Sequence, residues 1–376
     1  MAKVLITGGA GFIGSKLALH LVARGHELTV LDCLAAQVHG ADGEQSDLYQ
    51  AIAGKVRFLR GDVTSREDMT TALAGQEVVV HLAAETGTGQ SMYQIDHYTR
   101  VNIGGTALMF DILANAPHSV RRIVVASSRS VYGEGRYRSE TMGYVYPEHR
   151  SAEDMQAGDF EVKHPGAGAL TLVPTDEDSR LHPSSLYGIT KQVQEQMVMT
   201  LAPTLGIEPV AFRYQNVFGP GQSLSNPYTG ILSIFSNLIM QGKPVNIFED
   251  GEESRDFVFV DDVVTATALG VEKPEAAGGV FNVGSGAPVT VKQVVDALSR
   301  HLGMPVQSTV TGNFRLGDIR HNYADMTLAT ERLGFRPAYD FERGIAEFCK
   351  WVLASGPRES GYEKSLLEMR EKGLMK

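Results

Sequence analysis

The run Thr7-Gly8-Gly9-Ala10-Gly11-Phe12-Ile13-Gly14 restricts what this chain can fold into more than any other stretch. It follows the apolar residues Val4-Leu5-Ile6 and precedes Ser15-Lys16-Leu17-Ala18-Leu19-His20-Leu21-Val22, whose apolar positions recur at helical spacing. Strand, glycine turn and helix start, in that order, form a site for a dinucleotide pyrophosphate. Glycines let backbone approach phosphate closely, and the unpaired N–H groups at a helix start point at the anion. Gly8, Gly11, Phe12, Ile13 and Gly14 are therefore expected to hold a dinucleotide.

Downstream, short β-branched runs alternate with amphipathic segments. Strands are expected at 3–7, 27–32, 56–61, 77–82 and 122–127, and helices at 14–24, 66–74 and 98–114. Near-continuous apolar strands separated by helices imply a parallel sheet covered on both faces, the Rossmann-type doubly wound α/β architecture. The second strand ends at Asp32, 18 residues after Gly14. A carboxylate there accepts hydrogen bonds from the adenosine ribose and repels a 2′-phosphate, so it selects NAD over NADP. Asp62, beside Val63 at the end of the third strand, is placed to accept from the adenine amino group.

Bulk properties exclude several classes. The 376 residues are 43% hydrophobic, enough for a large core and about two domains. A net charge of −10 argues against a nucleic-acid coat. Cys33 and Cys349 lie far apart, and neither they nor His164 show metal-ligand spacing, so free thiols and no metal are expected. No apolar run approaches the ~20 residues of a membrane span, and too few residues precede the glycine turn for a secretory segment. A cytoplasmic protein is expected.

A reaction enters with Tyr187 and Lys191. Pro183 and Ser184 mark a helix start and Pro203 its end, so these two residues, four apart, share a face. An ammonium beside the phenol stabilises the phenolate and lowers a pKa otherwise near ~10, making tyrosine a usable base. Of the 13 tyrosines, only Tyr187 has a lysine four residues on. With Ser128 at a strand end, downstream of a dinucleotide turn, Ser128, Tyr187 and Lys191 form the expected catalytic set.

Together with further landmarks these residues resemble the extended short-chain dehydrogenase/reductase family, specifically its nucleotide-sugar epimerases and dehydratases. The landmarks are His81-Leu82-Ala83-Ala84, Asn102-Ile103-Gly104-Gly105-Thr106 and Ser127-Ser128-Arg129-Ser130-Val131-Tyr132-Gly133. Arg213-Tyr214-Gln215-Asn216, the segment from Ser254 to Asp262, and Arg315-Leu316-Gly317-Asp318 complete them. The resemblance implies cofactor contacts at Leu82, Ala83, Ala84, Asn102, Tyr187 and Lys191, with Asn102 read alternatively as steadying the helix that carries the active site or as capping a turn, and substrate contacts at Ser128, Asn216, Arg255, Arg315 and Asp318. Guanidiniums suit a sugar-nucleotide diphosphate because they pair two-pronged with phosphate oxygens. Within the family, stretches such as Gly87-Thr88-Gly89-Gln90-Ser91-Met92-Tyr93 look like the dTDP-L-rhamnose 4-epimerase group and its UDP-glucose 4-epimerase-like relatives.

The positions after Ser128 discriminate among the family's chemistries. By the resemblance, 4,6-dehydratases carry an Asp-Glu pair there, because eliminating water needs an acid and a base. Arg129 and Ser130 cannot supply carboxylate chemistry, which disfavours dehydration. Two enzymatic readings remain. In a 4-epimerase, C4 is oxidised, the 4-keto sugar rotates and is re-reduced, and one NAD stays bound. In a 4-keto reductase, external NAD(P)H drives the reaction one way. Asp32 weighs against NADPH and so favours epimerisation. A non-catalytic NAD-binding sensor is the reading from another class, and the intact catalytic set argues against it.

Residues 1–216 with 255–271 are expected to form the NAD-binding domain, carrying an insert at about 134–183. Residues 217–254 with 272–376 are expected to form a smaller α/β substrate domain, with helices at 230–242, 291–302 and 326–333 and strands at 245–248, 280–283 and 306–310. Because catalytic motifs adjoin both ends of the insert, it is expected to be a lid or wall over the sugar pocket. The tail 356–376 reads as a terminal helix gripped by Leu366, Leu367 and Met369, with no assigned role. The resemblance also implies a homodimer through helices near 98–114 and 184–201.

Overall fold

All seven strands of the main sheet are parallel. In spatial order they are Gly279–Val283, Glu208–Tyr214, Arg122–Ser128, Val78–His81, Lys3–Thr7, Glu27–Asp32 and Arg57–Arg60. The computed structural model describes residues 1–228, 230–359 and 361–376. The first strand sits between strands that continue the sheet in opposite directions, so the chain reverses its winding there. The carboxyl edge at such a switch point opens into a crevice. Val78-Val79-Val80 is buried throughout, as a strand covered by helices on both faces must be.

The helices arise from local sequence. Phe12–Ala23 begins directly on the glycine turn, with Gly11 as its extended N-cap. Leu186–Thr204 starts where the Ser185 hydroxyl accepts from the Gly188 amide, and it carries Pro203 in its last turn, one residue before its end. Val291–Leu302 has a reciprocal capping box between Thr290 and Gln293 and stops at left-handed Gly303. The expected helix 98–114 is divided: Ile95–Tyr98 passes through a wider π-helical turn, Thr99–Gly104, into Gly105–Asn115.

A second layer lies beyond the carboxyl edge. Asn216–Phe218 pairs in parallel with Ser254–Phe259, which also pairs with Pro288–Thr290 and His321–Asn322. Val245–Ile247 pairs with Ser308–Val310. Phe218, Phe257, Phe259, Leu298 and Phe348 centre its core. The helix Val260–Glu272 returns to pack on Phe12–Ala23.

Three expectations need correction. The strand expected at 280–283 in the smaller domain is instead the edge of the main sheet, with Phe281 packed on Phe212 at 5.8 Å. The helix Thr327–Leu333 covers that strand, and its Ala329 and Leu333 join the main-sheet core. A buried apolar strand needs cover on both faces, and the main sheet supplied it. The insert is ordered: Gly143–Val145, Tyr137–Ser139 and Leu170–Leu172 form an antiparallel sheet, and the short helix Ala152–Gln156 lies between the last two pieces of chain it joins. In the tail, the helix Tyr362–Glu371 grips through Tyr362, Ser365 and Met369, whereas Leu367 faces solvent. Among the described residues, no helix is long and apolar enough to cross a membrane.

Candidate active site

A cavity of about 880 Å³ runs along the carboxyl edge of the main sheet and under the second layer. The glycine turn forms one end. Gly8 is left-handed, and a Cβ on it would lie 2.8 Å from the Ala83 amide nitrogen; a Cβ on Gly14 would strike the Gly8 carbonyl oxygen. Both glycines are therefore required for the strand, turn and helix to close on one another. Gly11, Phe12 and Ile13 line the same end, as do Leu82, Ala83 and Ala84 from the neighbouring strand end.

Asp32 is buried at the cavity wall. Its Oδ2 accepts from the Ala10 amide at 3.0 Å and its Oδ1 from the Leu34 amide at 2.8 Å. A carboxylate has about four lone-pair directions, so it keeps capacity for a diol. His39 stands 3.9 Å from Asp32; burial lowers its pKa, opposed by the nearby carboxylate. Asp62 and Val63 line the wall nearby, with the Asp62 carboxylate accepting from the Thr64 amide and hydroxyl.

Asn102 lies elsewhere. It is absent from the cavity lining, and its amide is spent on the Glu85 backbone (2.8 and 3.1 Å) and on the Thr190 hydroxyl at 2.9 Å. The π-helical turn aims it between the 82–85 loop and the helix Leu186–Thr204. It acts as a staple between the cavity wall and the helix Leu186–Thr204, the steadying role open for it, and does not line the cavity as its expected cofactor contact requires.

Ser128, Tyr187 and Lys191 converge on the middle of the cavity. Ser128 ends its strand and accepts from the Ser130 amide and hydroxyl, at 3.2 and 2.9 Å. Lys191 departs from expectation. Its Nζ donates to the Ala126 carbonyl at 2.8 Å and to Gln194 Oε1 at 3.0 Å, and burial lowers its pKa to about 7. Spacing placed it on the face of Tyr187, but the strand carbonyl holds its ammonium. Burial raises the Tyr187 pKa, opposed by hydrogen bonding with Ser128 and by the charge of Arg129.

Arg129 was read only for what it cannot do. Its Nε donates to Asn216 Oδ1 at 3.0 Å, and its side chain lines the cavity. Burial and then Arg255 bring its pKa down to about 10. An arginine beside Ser128 was the available signal, and sequence could not say which way it turned.

At the far end lie Arg255, Arg315 and Asp318. Arg255 is committed to its own protein. Nη1 donates to the Ser254 and Arg320 carbonyls, and Nη2 donates to the Ile319 carbonyl and to Asp318 at 3.0 Å. It braces the loop that carries Arg315. Burial pushes the Asp318 pKa up, but Arg255, Arg315, Arg129 and Arg150 outweigh this and hold it below its ordinary value. The Arg315 guanidinium stacks 5.0 Å from the Phe248 ring, and its buried Nε has no hydrogen-bond partner among the described residues.

None of the described residues lining the cavity comes from 134–183. In this structure the insert forms no part of the cavity wall. It buttresses the 315–320 loop from behind: Glu134 accepts from the Arg320 amide at 2.7 Å, and Arg150 donates to the Asp318 carbonyl at 3.0 Å. Among the described residues no group of three or more His, Cys, Asp or Glu could hold a metal ion, and both cysteines are free.

The model of the NAD dependent epimerase/dehydratase family matches residues 4–152 and 165–284. A dTDP-L-rhamnose 4-epimerase of Burkholderia thailandensis is 35% identical over 361 residues, covering 95% of this chain and 97% of its own. A UDP-glucose 4-epimerase of Mycolicibacterium smegmatis is 31% identical, covering 92% and 96%. Among solved structures, the UDP-glucose 4-epimerase of Thermotoga maritima with UDP-glucose superposes with a TM-score of 0.74 at 28% identity, covering 94% of this chain and 99% of its own. The Thermus thermophilus UDP-glucose 4-epimerase complex with NAD gives 0.72 at 25% identity, covering 93% and 98%.

Proposed function

Because the chain belongs to the NAD-dependent epimerase/dehydratase family, we propose that it is an NAD-dependent nucleotide-sugar 4-epimerase acting on a nucleotide-diphosphate hexose or 6-deoxyhexose, with dTDP-linked sugars the first to test. The observation that carries this reading is the middle of the cavity. A tyrosine base and a serine hydroxyl stand there, with Arg129 and Ser130 where elimination would need carboxylates.

The groups present fit a dinucleotide. The turn from Gly8 to Gly14 leaves room for a pyrophosphate at a helix start, and Asp32 retains acceptor capacity for a ribose diol. Bound there, NAD supplies the hydride acceptor and donor that oxidation and re-reduction at C4 require. Tyr187 takes the proton of the C4 hydroxyl and later returns it. Ser128 holds that oxygen by hydrogen bonding, and Arg129 favours the charged phenolate. Lys191, held by the Ala126 carbonyl, lines the same cavity and would donate to a dinucleotide bound there. Arg315 and Asn216 take the diphosphate and sugar ends, and Arg255 and Asp318 hold the Arg315 loop in shape.

One experiment tests the reading. The purified protein is denatured and any released dinucleotide identified. The native protein is then incubated with dTDP-, UDP-, GDP- and CDP-sugars without added cofactor, and C4 configuration is followed by NMR. Inversion without added cofactor is expected, and Tyr187→Phe should abolish it. Protein free of dinucleotide that turns over only 4-keto sugars with added NAD(P)H would overturn the epimerase in favour of a reductase. A homodimer through the helices near 98–114 and 184–201 is part of the proposal, and a monomer by light scattering at micromolar concentration would refute it.

A further inference from the structure

The stretch beyond 356 folds back onto the substrate end of the cavity. Tyr362 and Met369, on the inner face of the helix Tyr362–Glu371, line the cavity wall. Left-handed Gly373 then turns the chain, and the Leu374 amide closes the helix end on the Met369 carbonyl at 2.9 Å. From there the chain runs extended as one side of a short ladder. Lys376 and Phe314 exchange both backbone bonds at 3.0 and 3.1 Å, and the Leu316 amide donates to the Leu374 carbonyl at 3.0 Å. Buried Met375 lies directly opposite Arg315.

These backbone bonds fix the path of 314–316, from which Arg315 enters the cavity. The Arg315 Nε is buried and unpartnered among the described residues, so the loop presents a cation with hydrogen-bonding capacity to spare. From the same helix, Glu368 Oε2 accepts from Tyr228 at 3.0 Å and from Tyr93 at 3.2 Å, and the two hydroxyls meet at 2.6 Å. Tyr228 also lines the cavity, and Tyr93 closes the 87–93 segment that borders it.

We propose that residues 362–376 are a wall of the substrate site, and that the extended run 374–376 positions Arg315 for the diphosphate of the nucleotide sugar. The inference rests on the nucleotide-sugar reading above. The backbone bonds of 374–376 to the rest of the fold go to 314 and 316, and none goes to the glycine turn. Its loss should therefore disturb substrate and leave dinucleotide in place.

The test removes Leu374–Lys376 and measures four things: KM and kcat for the nucleotide sugar, the Kd of dTDP and of UDP by calorimetry, and NAD bound per chain. KM and the nucleotide Kd are expected to rise at least about tenfold, with kcat within about threefold and bound NAD unchanged. Arg315→Met should do the same, and combining both changes should be no worse than Arg315→Met alone, because the run acts through that side chain. If the shortened chain fails to fold, Lys376→Pro removes only the amide that bonds the Phe314 carbonyl and should shift KM in the same direction. Unchanged KM in a folded variant, or multiplied effects in the combined one, would overturn the inference. A parent protein that inverts no nucleotide sugar would instead sink the epimerase reading, and the dTDP and UDP affinities would still judge the wall.

Discussion

Tyr187 shows how little of a residue's chemistry lies in its identity. Burial pushes its hydroxyl away from the phenolate that a base requires, and Ser128 and Arg129 oppose that push. The i, i+4 spacing to Lys191 holds in the structure, since both lie on Leu186–Thr204, yet the lysine bonds the Ala126 carbonyl. Spacing specifies a shared face, and only the neighbouring strand decides which acceptor on that face wins. Arg129 is then the cation that matters to the phenolate. Tyr187 is also faced by buried Tyr98, near Glu85, while Arg255, Asp318 and Glu134 surround Arg129 itself. Replacing Arg129 by Met leaves burial less opposed, so the Tyr187 pKa rises. The pH at which kcat climbs should move up, while Arg129→Lys should move it less. An unmoved limb in a pH–rate series would show that Arg129 does not act on the base.

At the scale of elements, the insert was the segment least legible in the sequence. Its Gly-, Tyr- and Pro-rich composition says turn, and its position between catalytic motifs suggested a cover. It forms a small sheet with a core of Tyr137, Val145 and Val162. Its charged residues point outward into the second layer, where Arg150 reaches Glu249 through two bonds of 2.7 and 2.8 Å and Glu161 reaches Arg320 at 2.7 Å. Composition cannot anticipate partners about a hundred residues away. Replacing 135–175 by a short linker should strip Arg320 of Glu161 and Glu249 of Arg150, leaving Glu249 and Asp250 as the carboxylates that hold Arg320. Lower thermal stability and a raised KM are expected together. Unchanged Tm and KM would mean the insert is a surface excursion. The helices behave oppositely: caps at Ser185 and at Thr290 with Gln293 adjoin the helix starts they secure, so Val291–Leu302 begins where the sequence places it and Leu186–Thr204 begins two residues after Ser184.

For the whole molecule, one buried ion network joins insert, second layer and site. Glu134 meets Arg150 at 3.4 Å and the Arg320 amide at 2.7 Å, and Arg320 in turn meets Asp250 at 2.7 and 2.8 Å. Burial nonetheless raises the Glu134 pKa from 4.5 to about 7, because desolvation outweighs the attraction of Arg150. Between those values the folded chain holds a proton that the unfolded chain has released, so this contribution to stability falls as pH rises through the window. Glu134→Gln removes the dependence. Its stability relative to the parent should improve by up to about 3 kcal/mol between about pH 5 and pH 8, read from paired denaturant titrations. A pH-independent difference would place the Glu134 carboxyl in the ordinary range.

Some of this protein was determined by its sequence alone: the glycine turn, Asp32 at the next strand end, the parallel sheet, and the placing of Ser128 at a strand end and of Tyr187 and Lys191 on one helix. Those features are local, or repeat with the period of one element, so the chain itself carries them. Tertiary structure decided what depends on distant partners. It assigned the strand Gly279–Val283 to the main sheet, the ammonium of Lys191 to Ala126, and Asn102 to a staple. It also laid residues 374–376 against 314–316, beside a cavity-lining guanidinium whose buried N–H is unpaired among the described residues. Backbone pairing between segments some sixty residues apart leaves no period and no motif in a sequence, because peptide groups hydrogen-bond alike whatever side chains they carry.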